Sequence, residues 1–326
     1  MRVALLFLFF TQSIYADHVI LSTSHAPIGV MRDHSHKKDE FMLSYTYVNS
    51  IMNEILSGST KSNSNQVLSN YMNSPLKMNM EMHMLGMMYG ITNSSTLGIM
   101  IPFVKKSMES INIMGTTSKI YNEGIGDISL SNITDIKLSK TSNLVLGYGV
   151  KLPTGKLNYR KATQTNSNMK LGYGMQLGSG TFDPTISITY IKKFNKHRLG
   201  FQNNSIIRFY KNYLNYNLGN EHSISSWASY SILDSLSFSY RLIYEIKEGI
   251  NGIDSDLMRS MSPATNPHST KRKDLSQSFG INIVNHYDFL KNHRLALEYI
   301  KPINQNVSGF QLSKKSKIML GWQYSY

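Results

Sequence analysis

Met78, Met80, Met82 and Met84 stand at every second position of one run, and Met88 continues the spacing after a gap. A spacing of two places side chains on one face of an extended chain. Thioethers are flexible and polarizable and accommodate varied apolar ligands. They are also soft donors that suit Cu(I). Upstream lie His25, His34 and His36, in a stretch without periodicity. Imidazole is the commonest metal ligand, and His34 and His36 face one way if the chain there is extended. If this stretch folds back onto the methionine face, Met80, Met82 and Met84 with His34 and His36 make a soft copper site. If it does not, these are solvated histidines.

Reaction chemistry has little support. There is no Gly-x-Ser-x-Gly elbow, no His-Glu-x-x-His and no Gly-rich phosphate loop. Cysteine is absent, which removes disulfides and thiolate metal sites. The expectation is a protein that is not an enzyme and has no cofactor.

The elements that would position these residues are strands. Phe41, Leu43, Tyr45 and Tyr47 alternate with Met42, Ser44 and Thr46, and Leu97, Ile99, Ile101 and Phe103 form a second ladder. Others run through Leu144–Leu152, Leu236–Ile246 and Phe279–Ile283. Ladders of period two are half-buried strands. Short turns at 92–95, 140–142, 195–197, 233–234 and 291–293 alternate with long polar segments at 56–74, 108–123, 154–181, 211–221, 250–273 and 305–315. Outer-membrane barrels alternate short periplasmic turns with long external loops and have even strand numbers. Residues 169–177 are assigned to a loop, because an extra strand there would make the number odd. The fold class expected over residues 40–326 is therefore all-β: a transmembrane antiparallel up-and-down barrel of about 12 strands, with both termini periplasmic.

Composition fits. Charged residues make up 17% of the chain, against about 25% in soluble domains, and there are 20 Tyr and 13 Phe. Residues 1–16, with Arg2, the apolar run Val3–Phe10 and Ala16, read as a signal peptide. Residues 17–39 form an irregular histidine-containing segment expected to enter or plug the lumen. The net charge of +14 would suit nucleic acid, but export argues against it. Outer-membrane lipid, with lipopolysaccharide phosphates at the rim, is the expected partner, although compositional drift explains the lysines equally well. Ile318, Leu320, Trp322, Tyr324 and Tyr326 alternate to an aromatic end, the kind of strand that barrel-assembly machinery reads. A small-molecule ligand is the remaining expected partner.

Inside a barrel alternate side chains face the lumen. The methionine column faces inward unless a bulge swaps the faces. Lys151, Arg198, Arg208, Arg241, Glu245, Arg294 and Glu298 are the charged candidates for that face, expected to pair across neighbouring strands.

Scattered blocks carry a family resemblance. They are His25–Met31 with Asp33–Lys38, Met78–Gly86, Gly124–Ser129, Leu152–Gly155, Gln176–Asp183, His293–Tyr299, Gln305–Leu312 and Gly321–Tyr324. Together they resemble outer-membrane transporters associated with the meta-cleavage pathway of phenol degradation. Arg32 and Asp39 stand where that pattern has Gly. The resemblance implies a barrel that passes or binds a small apolar or aromatic compound. A metal-handling barrel is the second reading, and a structural barrel or lipid hydrolase comes behind both.

The alternation of connections makes a topological prediction. A protease site inserted near Asn266 should be cut on intact cells, and one at Asn195 should be protected. The reverse pattern would invert the topology.

Overall fold

The computed structural model describes residues 22, 25–161, 168–285 and 291–326. The expected signal peptide lies outside them. Twelve strands matter here: β1 (Phe41–Gly58), β2 (Asn73–Gly90), β3 (Ser95–Asn112), β4 (Thr117–Ile125), β5 (Ser129–Lys137), β6 (Ser142–Lys151), β7 (Asp183–Phe194), β8 (His197–Ile206), β9 (Glu221–Leu233), β10 (Leu236–Lys247), β11 (Arg272–Val284) and β12 (His293–Ser325). All pairings are antiparallel and each strand meets its neighbours in sequence, except that β4 and β5 share β3. Eleven strands close a ring, with β4 and the short strand Thr60–Ser62 outside it. The last strand is bent: residues 294–307 pair with β11, residues 310–325 pair with β1, and Gly309 sits between them at φ 58°. The ring thus has eleven strands where the sequence led to an expectation of about twelve, because residues 293–325 run as one bent strand.

Closure is made where the chain ends. The Phe41 amide donates to the Tyr326 carbonyl at 2.9 Å, and the Tyr326 amide donates to the Phe41 carbonyl at 2.7 Å. In β7 the outward Ile186, Ile188 and Tyr190 are exposed, while the inward Thr185, Ser187 and Thr189 are buried. The same inversion recurs in β10, where Phe238, Tyr240 and Leu242 are exposed and Ser237, Ser239 and Arg241 are buried. A belt this apolar needs a non-aqueous neighbour.

Two of the expected loops are strand. Residues 108–123 form a tall β3–β4 hairpin whose turn is closed by the Asn112 side chain, which accepts from the Met114 and Thr116 amides. Residues 305–315 lie within β12. Above the apolar belt the apolar residues are scattered and no longer alternate on one face, so the period-two signal fades while backbone pairing continues. The segment 56–74 is mixed: β1 runs on to Gly58, and a five-residue helix Ser64–Leu68 follows, capped by Asn63 and Gln66.

The true loops, 152–182, 207–220 and 248–271, interlock over that end of the barrel. Leu157, Tyr173, Tyr216 and Leu257 share one apolar cluster. Lys170 Nζ meets Asp254 Oδ2 at 2.5 Å with both side chains buried, and the Asp254 amide donates to the Tyr173 hydroxyl at 3.1 Å. Burial pushes the Tyr173 and Tyr216 phenols above their ordinary range. Residues 169–177 stay in this cap, as a two-residue ladder and a 3-10 turn.

If the first and last residues seal the wall, removing the final four should reduce the amount of folded barrel recovered from membranes. Recovery equal to the full chain would show that closure lies elsewhere.

Candidate functional site

Residues 25–40 cross the lumen at the end where Phe41 meets Tyr326, and polar bonds tie them to the wall. The Gly29 amide donates to Glu298 Oε2 at 2.7 Å, and Arg294 Nη2 donates to the Ala26 carbonyl at 2.6 Å. Gln202 Nε2 donates to the Met31 carbonyl, and Arg32 reaches Thr185 and Asn204 on the opposite wall. The Thr96 hydroxyl accepts from the His36 amide and donates to the His36 carbonyl. Apolar contacts fill the gaps: Ala26 and Val30 pack with Ile133, Val145, Ile191 and Trp227, and Ile28 packs with Met84, Ile243 and Met319. Gly90 is required beneath this segment, because a Cβ there would lie 1.8 Å from the Lys37 carbonyl oxygen. Arg32 and Asp39 keep the left-handed turns that a glycine would favour, at φ 59° and 66°. Their side chains anchor them, Arg32 as above and Asp39 by accepting from the Tyr89 hydroxyl at 2.8 Å.

The charged lumen candidates are mostly braces. Arg241 and Glu298 pair at 2.8 Å across β11, whose Ser278 also donates to Glu298. Arg294 is held by Asn282 and Gln323. Arg208 bonds Asp183 at 3.0 Å and the Gly219 carbonyl, outside the central lumen. Glu245 meets Lys314 at 2.7 Å, and Lys314 also meets Asp274 at 2.9 Å. Lys151 closes β6, in register with Ser129 and Asp183. Arg198 is buried on the inward face of β8.

The methionine column faces inward along β2, in register with the buried Thr46, Val48 and Ser50. Met84 packs with Ile28, Met82 lies against the same cluster, Met88 packs with Ala26 and Val30, and Met78 packs under Val67. Met80 lies between them, opposite Ser50 and Lys106. Proximity of this column to the histidines is not observed. His36 sits at the Gly90 rung, and Met84, Met82 and Met80 lie six, eight and ten residues along the strand from it. The structure brings Met84 against Ile28 of the lumen segment and does not bring Met80, Met82 and Met84 together with His34 and His36. The three histidines do meet one another, with ring centres 4.9 Å apart for His25–His34 and 5.1 Å for His34–His36.

A second feature was not foreseen from the sequence. β4 pairs only with β3, and its other edge pairs with no strand among the described residues. β4 stands outside the closed ring, above the rungs where β5 pairs with β3, and the loop residues Met175 and Gln176 pack against it. Asn122 Nδ2 donates to the Met175 carbonyl at 2.7 Å, and Lys106 Nζ donates to the Gln176 carbonyl at 2.6 Å. Asp127 accepts from the Gly155 and Ser179 amides at 3.0 and 2.8 Å, and the Thr154 hydroxyl donates to the Gly126 carbonyl. Gly155 and Gly178 touch so closely that a Cβ on either would lie within 2.7 Å of the other's backbone. Three of the resembling blocks, around Gly124, Leu152 and Gln176, thus converge on one seam. A cavity of about 530 Å³ opens along it, lined on the outer face by Glu81, Lys105, Tyr121 and Glu123 and by Tyr159 and Lys161 of the loop. Just below, the outward Phe103 and Ile125 belong to the apolar belt. The Gly124-Ile-Gly-Asp127 and Pro153-Thr-Gly155 patterns were the available signal, but nothing local says that they meet.

The fold is that of an outer-membrane barrel. It is similar to the crystal structure of an outer membrane channel from Pseudomonas putida F1, with a TM-score of 0.63 and 11% identity over 92% of this chain and 100% of that one. Weaker likenesses include a Pseudomonas aeruginosa FadL homologue (TM-score 0.46, 8% identity, 88% and 90% of the two chains) and the Ralstonia pickettii toluene transporter TbuX (0.43, 9%, 89% and 90%). At these identities the likeness is one of fold, and the two weaker ones carry no further weight. No family model and no curated protein matches the sequence.

Glu298 is the keystone of the lumen segment. Glu298→Ala would leave the buried Arg241 unpaired and free the Gly29 amide, a loss of about 3–5 kcal/mol for a broken buried pair. In planar bilayers the variant should show larger or more frequent conductance steps than the parent, and traces identical to the parent's would remove Glu298 as an anchor.

Proposed function

We propose that this protein is an outer-membrane channel that admits small apolar or aromatic compounds through the seam beside β4, with both termini in the periplasm. The seam is the observation that carries this reading. The eleven-strand ring is closed, yet beside it β4 presents one strand edge to a loop whose Leu177 side chain lies against Gly124. A straight polar route is poorly served. Residues 25–40 obstruct the lumen at one end, and the interlocked loops cover the other. An apolar compound dissolved at the membrane surface would meet Phe103 and Ile125 first. It would then pass Leu177 towards the inward methionines, whose adaptable side chains suit a ligand of loose shape.

The absence of native cysteine makes the seam testable. Cysteines introduced as Asn122→Cys and Met175→Cys can be joined by a short bismaleimide. Cells carrying the crosslinked barrel should lose uptake of radiolabelled toluene, while the uncrosslinked pair and each single variant keep it. Parental uptake through a fully crosslinked barrel would refute the route.

A further inference from the structure

His25, His34 and His36 are used by nothing described so far, and their chemistry is unsatisfied. His25 Nδ1, His34 Nε2 and His36 Nε2 are each shielded from solvent with no hydrogen-bond partner among the described residues. Three orphaned ring nitrogens in one place are unusual, because buried polar atoms are nearly always paired. A carboxylate holds one of the rings by a hydrogen bond, and a second carboxylate stands near another without bonding it. Asp33 Oδ1 accepts from His34 Nδ1 at 2.7 Å, and Glu40 Oε2 lies 3.7 Å from His36 Nδ1. A neutral imidazole with its proton held by a carboxylate presents a lone pair at the other nitrogen. That is the arrangement that orients metal-ligating histidines and raises their basicity. Asp33 is itself fixed, its second oxygen accepting from the Ala26 amide at 2.9 Å.

The spacing fits a metal. An imidazole nitrogen about 2.0–2.1 Å from an ion puts its ring centre about 3.2 Å away, so two rings at a tetrahedral angle have centres about 5.2 Å apart. The observed separations are 4.9 and 5.1 Å. The candidate site is empty, and no three His, Asp or Glu side chains among the described residues already close around a metal-sized point. The rings lie edge to face at 83° and 70°, so side-chain rotation, not backbone movement, must gather the nitrogens. Arg294 and Arg198 both lie close enough to His25 to oppose a cation, although the Arg294 guanidinium is bonded to Asn282, Gln323 and the Ala26 carbonyl. Asp33 and Glu40 supply two negative charges against them.

The geometry points to a three-histidine site, His25, His34 and His36, for one imidazole-preferring transition ion of the Zn²⁺ class, with Asp33 as a positioning residue. The methionine column takes no part, so a soft Cu(I) thioether site is not what is proposed. The ion would bind residue 25 to residues 34 and 36 and close the lumen segment into a ring that the wall bonds then hold.

The test uses the full barrel in detergent micelles, stripped with a chelator and titrated with Co²⁺ as the probe. One Co²⁺ per chain is expected, with the intense visible absorption of a four-coordinate ion, displaced by Zn²⁺. Asp33→Asn should weaken binding by about 10–100-fold with the circular dichroism of the barrel unchanged. His36→Gln and the triple His25→Ala/His34→Ala/His36→Ala variant should lose the absorption. Absence of bound Co²⁺ in the parent overturns the site, as does a weak six-coordinate spectrum or binding that survives in the triple variant. If His36→Gln fails to fold, Asp33→Asn decides, since unchanged affinity there also overturns the proposal. Toluene uptake is not part of this readout, so the metal site and the seam stand or fall separately.

Discussion

Every backbone amide and carbonyl in the membrane must find a partner within the protein, and this one requirement organises the chain. It forces the Phe41–Tyr326 closure, the return of β12 on itself and the strict neighbour-to-neighbour pairing. β4 rises beside that closed ring and is not part of it; the loop carrying Met175 and Gln176 packs on it, and Asp127 holds that loop through two amides.

The lumen obeys the complementary rule. With apolar side chains turned outward, the interior is lined by Ser, Thr and charged groups that must satisfy one another. Neighbouring strands supply most partners, but the N-terminal segment supplies others: Glu298 has one oxygen for Arg241 and Ser278 and the other for the Gly29 amide. The segment is thus a structural component of the lumen as well as an obstruction. Its removal would expose Arg241, Arg294 and Glu298 together, and conductance alone would not separate an opened path from a disordered interior.

Much of the architecture was legible in the sequence because barrels write it in period two. Ile186, Ile188 and Tyr190 outward with Ser187 and Thr189 inward is a pattern no soluble strand pair needs at that length. The inward face of Met78–Met88 followed from the same alternation. Legibility stopped where the lipid stops. In 108–123 and 305–315 the apolar residues are scattered and no longer alternate on one face, and paired backbone looked like loop. The site was harder still. Arg208 and Lys151 were selected by parity alone, which says which way a side chain points and not what it meets. The convergence of Asp127, Gly155 and Ser179 joins residues 28 and 52 positions apart, a relation that only the closed fold creates.

The two features that set this barrel apart from a plain pore lie on different chain elements and answer to different chemistry. The seam rests on main-chain amides, one aspartate and glycines that allow close approach, so it resists small changes in charge but not added bulk. The lumen segment rests on ion pairs and buried imidazoles, whose strength depends on what else occupies the site. A compound crossing at the seam need not disturb Glu298 or the histidines at all, because Met84 and Met82 extend between the two levels as a continuous apolar face. Passage along that face and retention of the segment are compatible. An obstructed lumen is therefore compatible with the proposed route for apolar compounds.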